Sequence, residues 1–205
     1  MVIRSLNIGG QTVVVNCEDG LQKQAEWLLD VLVRMHGSGH LIEEGERVQI
    51  GGSFLSFRRQ SSGDLAVCEP DFEKNPFQEE TTDVSCTLRV LASQFELAHR
   101  VAVVPVVTTF QDKIVMDQGC LQFDDLYMHR GEPNAEANDS GWFIGRQGVR
   151  KSPPELEAIY AFQLLLQRPE LFPALILPAG YMVMVNRQGI QTVINADNET
   201  VLRAG

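Results

Sequence analysis

One stretch near the middle of the chain, LYMHRGEPNAEANDSGWFIG over Leu126–Gly145, decides how its second half folds. Phe123, Leu126 and Met128 alternate with polar neighbours, and Trp142 to Ile144 are apolar and rich in strand formers. The glycine, glutamate, proline, asparagine and aspartate residues between them are typical of a loop. The pattern therefore predicts a long polar loop held between two strands.

The same stretch resembles the motif of the family-33-like immunity domain, found among the antitoxins of bacterial polymorphic toxin systems. In that family a strand ends in a Tyr-Met-aromatic/Arg-Glu-Glu/Pro run, and Asp-Ser-Gly-Trp follows. The matching residues here are Tyr127, Met128, Arg130, Glu132, Pro133, Asp139, Ser140, Gly141 and Trp142. The match is specific through residues 126–145 and continues more loosely to about residue 186. It implies a non-enzymatic protein that neutralises a cognate toxin by direct binding.

The chain departs from this motif after Trp142. Many members continue with a further aromatic residue and an acidic Gly-Asp-Glu-Asp/Glu run, whereas this chain reads FIGRQG over residues 143–148. A basic residue, Arg146, stands where the acidic run would be. The resemblance therefore does not extend to a partner contact that depends on those carboxylates.

The composition is that of a globular protein. With 205 residues the chain is long enough to form one large domain or two small ones. Hydrophobic residues make up 44% and charged residues 21%, which argues against disordered and fibrous classes. No run approaches the ~18 apolar residues that cross a bilayer, and no secretion signal opens the chain. We therefore expect a cytoplasmic protein without membrane contact.

The charge is acidic and unevenly distributed. The net charge is −10, and residues 1–98 contribute −7 of it, with 8 Lys and Arg against 15 Asp and Glu. Such a protein repels nucleic acid and attracts basic partners, which suits an inhibitor of a basic toxin such as a nuclease. Solubility alone also explains an acidic composition.

The sequence predicts neither a metal site nor a cofactor. His36 and His40 are four residues apart, but Gly37 and Gly39 break a helix between them. The cysteines have no short paired spacing, which favours reduced, buried thiols over a disulfide framework or a zinc site. They are Cys17, Cys68, Cys86 and Cys120.

The first half reads as mixed strand and helix. Two hairpins are predicted, one turning at Gly9-Gly10 and one at Gly51-Gly52, and a strand follows over residues 65–68. Neither glycine pair is followed by the Lys-Ser/Thr of a phosphate loop. Asp19 is expected to cap a helix over residues 20–35, because apolar residues recur there at helical spacing. The first half is therefore predicted to contain two hairpins, one further strand and one helix.

The middle of the chain predicts a loop, a helix and a linker. Phe72 and Phe77 are expected to order a proline-containing loop by burying their rings. Asp83 is expected to cap a helix to about residue 99 with an apolar face of Val84, Leu88, Leu91, Ala92 and Phe95. Residues 100–109 are β-branched but contain Pro105, so they form an edge strand or an extended linker. The domain boundary is placed near this segment.

Beyond that boundary, strands are predicted over residues 114–116 and 122–129, and over 181–185 and 191–194. A helix is expected to begin at Ser152, Pro153, Pro154 and Glu155 and to bury one face, and a shorter helix covers residues 169–175. That buried face consists of Leu156, Ile159, Tyr160, Leu164 and Leu165. The whole chain is thus predicted as α+β: antiparallel strand groups with helices on one face, in two small modules, residues 1–100 and an immunity-type domain at residues 101–205.

An enzyme is the alternative to a binding protein. An uncharacterised hydrolase or nucleotide-handling enzyme would use the loop residues Arg130, Glu132, Asp139 and Ser140, with His129 beside them. The flanks of Ser140 lack the Gly-x-Ser-x-Gly elbow of a nucleophile. An Asx turn, in which Asp139 binds backbone amides and Gly141 adopts a conformation that other residues avoid, explains the same residues. An ion pair of Arg130 with a loop carboxylate equally explains the charges.

Trp142 is the better contact candidate of the two tryptophans, because it borders the polar loop. Base rates nevertheless favour a core position for both Trp27 and Trp142.

Overall fold

A computed structural model describes residues 1–148 and 155–204, and it confirms the α+β class. The chain divides into two compact units, Met1–Ala92 and Ser93–Gly205. Each unit contains its own β-sheet, and each sheet combines antiparallel pairs with one parallel pair.

The N-terminal unit is built on a six-stranded sheet with strand order β1-β2-β5-β4-β3, and β6 pairs with β5. The pair β2 and β5 is parallel and the others are antiparallel. Its elements are β1 (Val2–Ile8), β2 (Gln11–Cys17), helix α1 (Gln22–Gly37), β3 (Arg47–Ile50), β4 (Ser53–Arg59), β5 (Leu65–Pro70), β6 (Glu80–Thr81) and the start of helix α2 (Ser85–Arg100). Both predicted hairpins are confirmed.

One apolar core joins this sheet to its helices. Val13 and Val15 of β2 share it with Leu28 and Leu32 of α1 and with Leu88 of α2, and all five side chains are fully buried. The helical spacing of apolar residues therefore identified most of the buried face of each helix. Phe95, expected on the same face of α2, is 48% exposed.

Two details of the N-terminal unit differ from the sequence expectation. Asp19 does not cap α1, whose N-cap is Leu21 without a side-chain hydrogen bond. The Asp19 carboxylate instead lies 3.7 Å from the N-terminal amino group of Met1, with which it forms an ion pair. Of the two phenylalanines in the loop after β5, Phe72 is buried and Phe77 is 45% exposed, and Pro76 beside Phe77 is buried instead.

Two carboxylates, those of Asp83 and Glu69, accept hydrogen bonds at the start of α2, and Glu69 is the buried one. Asp83 accepts a hydrogen bond from the backbone N–H of Ser85 at 3.1 Å, as expected for a cap. Glu69 of β5 accepts two more, from the N–H groups of Cys86 at 3.2 Å and Thr87 at 2.7 Å. Burial raises the pKa of Glu69 to about 7 against these bonds.

The C-terminal unit is built on a seven-stranded sheet with strand order β10-β7-β9-β8-β11-β12-β13, in which β7 and β9 are parallel. Its strands are β7 (Lys113–Asp117), β8 (Leu126–Arg130), β9 (Asp139–Arg146), β10 (Leu156–Tyr160), β11 (Met182–Asn186), β12 (Gly189–Ile194) and β13 (Thr200–Arg203). Its helices are α3 (Ala161–Gln167) and three 3₁₀ helices, Cys120–Gln122, Ala135–Ala137 and Pro169–Ile176.

The largest correction concerns the helix expected from Ser152. Residues Ser152 to Pro154 lie outside the described residues, and Leu156–Tyr160 forms strand β10, which pairs along β7. The helix begins only at Ala161. The spacing of Leu156, Ile159 and Tyr160 suits either structure, and pairing with the open side of β7 decides between them. Leu156 is 61% exposed and Tyr160 38%, whereas Leu164 of α3 is fully buried.

Smaller corrections fall on either side of the motif. Gln122 belongs to a 3₁₀ helix, so β8 begins at Leu126 instead of residue 122. Residues 101–109 form the extended linker and not an edge strand. This linker is fixed by hydrogen bonds from Val106 N–H to Ile176 carbonyl, at 2.8 Å, and from Thr108 Oγ1 to Leu175 carbonyl, at 2.9 Å.

None of the four cysteines, all of them among the described residues, forms a disulfide. Cys17, Cys68 and Cys120 are buried and Cys86 is half-buried. Burial raises the pKa of Cys86 to about 12. No helix in the described part of the chain is long and apolar enough to cross a membrane.

Candidate functional site

Arg130 organises the motif from the inside of the C-terminal unit. It ends β8, and only 1% of its surface is exposed, because Leu126, Met128 and Arg130 alternate onto the buried face of the strand. The guanidinium donates four hydrogen bonds to backbone carbonyls. They run to Val106 at 2.7 Å, Leu177 at 2.6 Å, Ser140 at 3.1 Å and Leu175 at 3.5 Å.

These bonds stand in place of the ion pair that the sequence offered as one explanation for Arg130. Among the described residues, no carboxylate lies within ion-pair distance of the guanidinium. Burial lowers the pKa of Arg130, and the more distant carboxylates of Asp112 and Glu132 oppose that shift. Arginine nevertheless stays charged, so a buried cation is solvated by main-chain oxygens. Arg130 thereby ties β8, β9, the linker and the 3₁₀ helix Pro169–Ile176 together.

Trp142 lies beneath this cation. Its side chain is 1% exposed, and the Arg130 guanidinium carbon lies 5.6 Å from the ring centroid. The geometry is that of a cation–π contact. The indole Nε1 is buried and has no hydrogen-bond partner among the described residues. Trp142 is therefore a core residue, and the contact role considered for it from the sequence does not fit its burial.

Asp139 and Ser140 are engaged by the backbone around them. The Asp139 carboxylate accepts a hydrogen bond from Gly141 N–H at 2.9 Å, which is the Asx turn expected from the sequence. The Ser140 hydroxyl donates to Lys113 carbonyl at 2.7 Å and accepts from Trp142 N–H at 3.2 Å. Ser140 is 2% exposed. Its hydroxyl thus links β7 to β9.

Gly141 closes the loop where two backbones meet. Its φ is +77°, and a Cβ there would lie 2.4 Å from Gly131 carbonyl oxygen. Gly131 N–H in turn donates to Gly141 carbonyl at 2.8 Å. One step further out, Asn134 and Asp139 exchange two backbone hydrogen bonds of 2.9 Å. The loop is therefore a closed, hydrogen-bonded hairpin tip in which residue 141 must be glycine.

The tip itself is exposed. Every residue from 132 to 138 is exposed. The side chain of Asn134 caps the short 3₁₀ helix by accepting a hydrogen bond from Glu136 N–H at 3.1 Å. Glu132 and Glu136 form no ion pair with any described residue. The motif thus combines a buried anchor with a fixed, acidic tip.

Tyr127 and His129 lie on the opposite face of β8 from Arg130, because successive side chains alternate. Tyr127 is half-buried and packs against Phe143, with ring centroids 5.9 Å apart. It also lines a shallow groove of about 280 Å³ with Arg146, Gln147, Gly148 and Met184. The cluster of His129 with Arg130 that an enzyme would need is therefore not formed.

The described residues contain no group of three or more His, Cys, Asp or Glu side chains placed to hold a metal ion. His36 lies in the last turn of α1, and His40 lies beyond its end with Nδ1 3.2 Å from Met35 carbonyl oxygen.

Sequence reasoning missed the partners of Arg130. Val106, Leu175 and Leu177 contribute only main-chain oxygens, so their side chains carry no sign of the contact. The usable signal was the alternation of Leu126, Met128 and Arg130, which places the arginine on the buried face.

The fold and the site define an α+β domain on a mixed seven-stranded sheet, in which a buried arginine and tryptophan hold an exposed loop. The family model of the Imm33-like domain matches residues 93–196, about half of the chain, and the chain belongs to this family. The match confirms the resemblance seen in the motif from Tyr127 to Trp142. No curated protein and no solved structure shows a significant match.

Proposed function

We propose that this chain is an immunity-type protein that neutralises a cognate bacterial toxin by binding it, and that residues 101–205 form the immunity domain. Family membership supports an immunity role in general. One observation carries the binding mode: Arg130 and Ser140 of the motif are buried and Asp139 is half-buried, whereas residues 132–138 are all exposed. In this proposal the buried part builds the scaffold and the exposed tip contacts the toxin.

The buried residues favour binding over turnover. A catalytic serine needs an accessible hydroxyl and a base that takes its proton. Ser140 donates its proton to a backbone carbonyl, and the Asp139 carboxylate is turned toward Gly141 N–H. His129 lies on the other face of β8. The geometry therefore lends no support to the hydrolase alternative within the described residues.

The tip has the properties of a preorganised contact. Its backbone is fixed by the Gly131–Gly141 and Asn134–Asp139 hydrogen bonds, so little conformational entropy is lost when a partner binds. Glu132 and Glu136 offer carboxylates that form no ion pair with the residues the structure describes. A basic toxin surface is the complementary chemistry.

Charges elsewhere are proposed to set the association rate. Residues 1–98 carry a net charge of −7, and Asp30, Glu43 and Glu46 are exposed there without an ion pair in the described residues. Such charges steer a basic partner over distances of about 10 Å at 0.1 M salt. Within this proposal the protein acts in the cytoplasm of a toxin-producing bacterium, without nucleic acid or membrane as partner.

The test is co-expression and a pull-down with the toxin encoded beside this gene. We expect the chain to protect the cell and to retain the toxin. Glu132→Lys and Glu136→Lys should each weaken both effects. Asp125→Lys is the matched control, because it makes the same charge change at the opposite end of β8. Equal losses in all three variants would contradict the tip as the contact, and no binding by the unmodified chain would contradict the function.

A further inference from the structure

The first strand of the chain is a sheet edge with one open side. Within the described residues β1 pairs with β2 alone, over seven residues in continuous register without a bulge. Hydrophobic side chains on both of its faces reach solvent, with Ile3 65% and Leu6 40% exposed. Its only charge, Arg4, is bound to Glu26 of α1 at 2.9 Å.

The other terminal strands carry the usual protection. Sheets avoid edge-to-edge pairing by short edge strands and by charges on them. β3 has four residues, of which Arg47 pairs with Glu80, and β13 has four residues and ends in Arg203. β10, the other terminal strand of the seven-stranded sheet, has five residues and carries Glu157. β1, with seven residues, is longer than any of these and has no proline. It is therefore the terminal strand best suited to accept another strand.

The turn after β1 determines which of its backbone groups are free. Gly9 and Gly10 have φ of +60° and +87°, as in a two-residue type I′ turn. Ile8 and Gln11 then exchange both of their hydrogen bonds, and every second residue does the same. The N–H and C=O groups of Ile3, Ser5 and Asn7 consequently point away from β2. Of these, the Ile3 carbonyl accepts a hydrogen bond from Arg4 Nη1 at 3.1 Å.

We propose that β1 pairs antiparallel with β1 of a second copy of this chain, around a two-fold axis at Ser5. The three residues whose backbone groups point away from β2 are centred on Ser5, so this register pairs each of them with a residue of the other copy. Ile3 lies opposite Asn7 of the second copy, and Arg4 lies opposite Leu6. The only charge of the strand therefore does not face itself, and its aliphatic stem covers an exposed leucine.

A second copy is the occupant because the edge is complementary to itself. No side chain on it requires a counter-charge from a different partner, since Arg4 is already neutralised by Glu26. The contact involves a single strand from each copy, so the buried area is smaller than that of a standard protein–protein interface and the dimer is weak. Each copy carries a charge of −10, so repulsion opposes the pairing and added salt strengthens it. Salt has the opposite effect on the toxin binding proposed above, and the two proposals stand or fall separately.

Analytical ultracentrifugation of the purified full chain provides the first test. We expect a monomer–dimer equilibrium that shifts toward dimer as salt rises. Ser5→Pro removes the outward N–H at the axis and should abolish the dimer, while Ser5→Ala keeps that N–H and should retain it. Circular dichroism verifies that both variants fold. A monomer at every attainable concentration, or a dimer that survives Ser5→Pro, would overturn the proposal.

Cysteine cross-linking tests the register. Hydrogen-bonded antiparallel pairs have Cα atoms about 5.5 Å apart, within the range of a disulfide. Ser5→Cys should therefore cross-link to itself on mild oxidation. Asn7→Cys alone should not, but it should cross-link when mixed with Ile3→Cys. The unmodified chain controls for its four native thiols. Cross-linking of Asn7→Cys to itself as fast as that of Ser5→Cys would contradict the axis at Ser5.

Discussion

Replacing Arg130 by methionine tests whether the motif is a structural anchor. Methionine has a similar length, so it fills most of the space but donates no hydrogen bond. Three carbonyls, those of Val106, Ser140 and Leu177, then lose the guanidinium, and the bonds to Ser140 and Leu177 are the buried ones. The fourth, of Leu175, keeps its bond from Thr108 Oγ1.

The expected loss follows from opposing contributions. Each carbonyl left without a donor costs about 1–3 kcal/mol, and the cation–π contact with Trp142 contributes about 1 kcal/mol. Removing a buried cation returns part of this, because its desolvation penalty of several kcal/mol disappears. The Ser140 and Leu177 carbonyls remain buried in the variant, so the losses dominate. We expect the free energy of unfolding to fall by about 3 kcal/mol.

The assay uses the fact that each unit contains one tryptophan, Trp27 in the first and Trp142 in the second. In a Trp27→Phe background, fluorescence during urea denaturation reports the C-terminal unit alone. Arg130→Lys keeps the charge but not the planar fork, so its unfolding midpoint should lie between those of the parent and Arg130→Met. The exposed Arg203→Met is the control and should change stability by less than about 0.5 kcal/mol. An Arg130→Met midpoint equal to that of the control would refute the anchor.

Three further predictions concern buried positions. Trp142→Ala should lower the free energy of unfolding by about 3–5 kcal/mol in thermal or urea denaturation, because the ring is 1% exposed; an unchanged melting temperature would contradict its burial. Gly141→Ala should cost more than 1 kcal/mol by the same assay, since φ is +77° and Gly131 leaves no room for a Cβ, whereas Gly131→Ala, whose nearest contact is 3.7 Å, should cost less. In the folded chain the pKa of Glu69 is raised from 4.5 to about 7, so the folded state binds this proton more tightly than the unfolded state does. The free energy of unfolding should therefore fall by about 3 kcal/mol as pH rises from 4.5 to 7, and then level off. Glu69→Gln should remove that part of the pH dependence in urea titrations, and an identical pH profile would show that the carboxyl is ionised in the fold.

The motif was readable from the sequence because its signals are local. The turn residues 131–138 and the alternation of Leu126 and Met128 predict two strands and a loop, and the structure has both. The Asx turn of Asp139 with Gly141 is likewise local, since it joins residues two apart.

The parts that were missed depend on contacts distant in sequence. The Arg130 guanidinium reaches carbonyls 24 and 47 residues away, at Val106 and Leu177, and no side-chain pattern marks a main-chain acceptor. The segment Leu156–Tyr160 forms a strand only because β7 offers a free edge to it. Helical spacing of apolar residues cannot report such an edge.

The most direct test of the account is calorimetric titration of the purified chain with the toxin encoded beside its gene. The account expects saturable binding that weakens as salt rises, with no turnover of the toxin. Glu132→Lys should weaken this binding at unchanged thermal stability, and Asp125→Lys should not. Absence of heat and of complex formation, together with a hydrolase activity that Asp139→Ala abolishes, would contradict it.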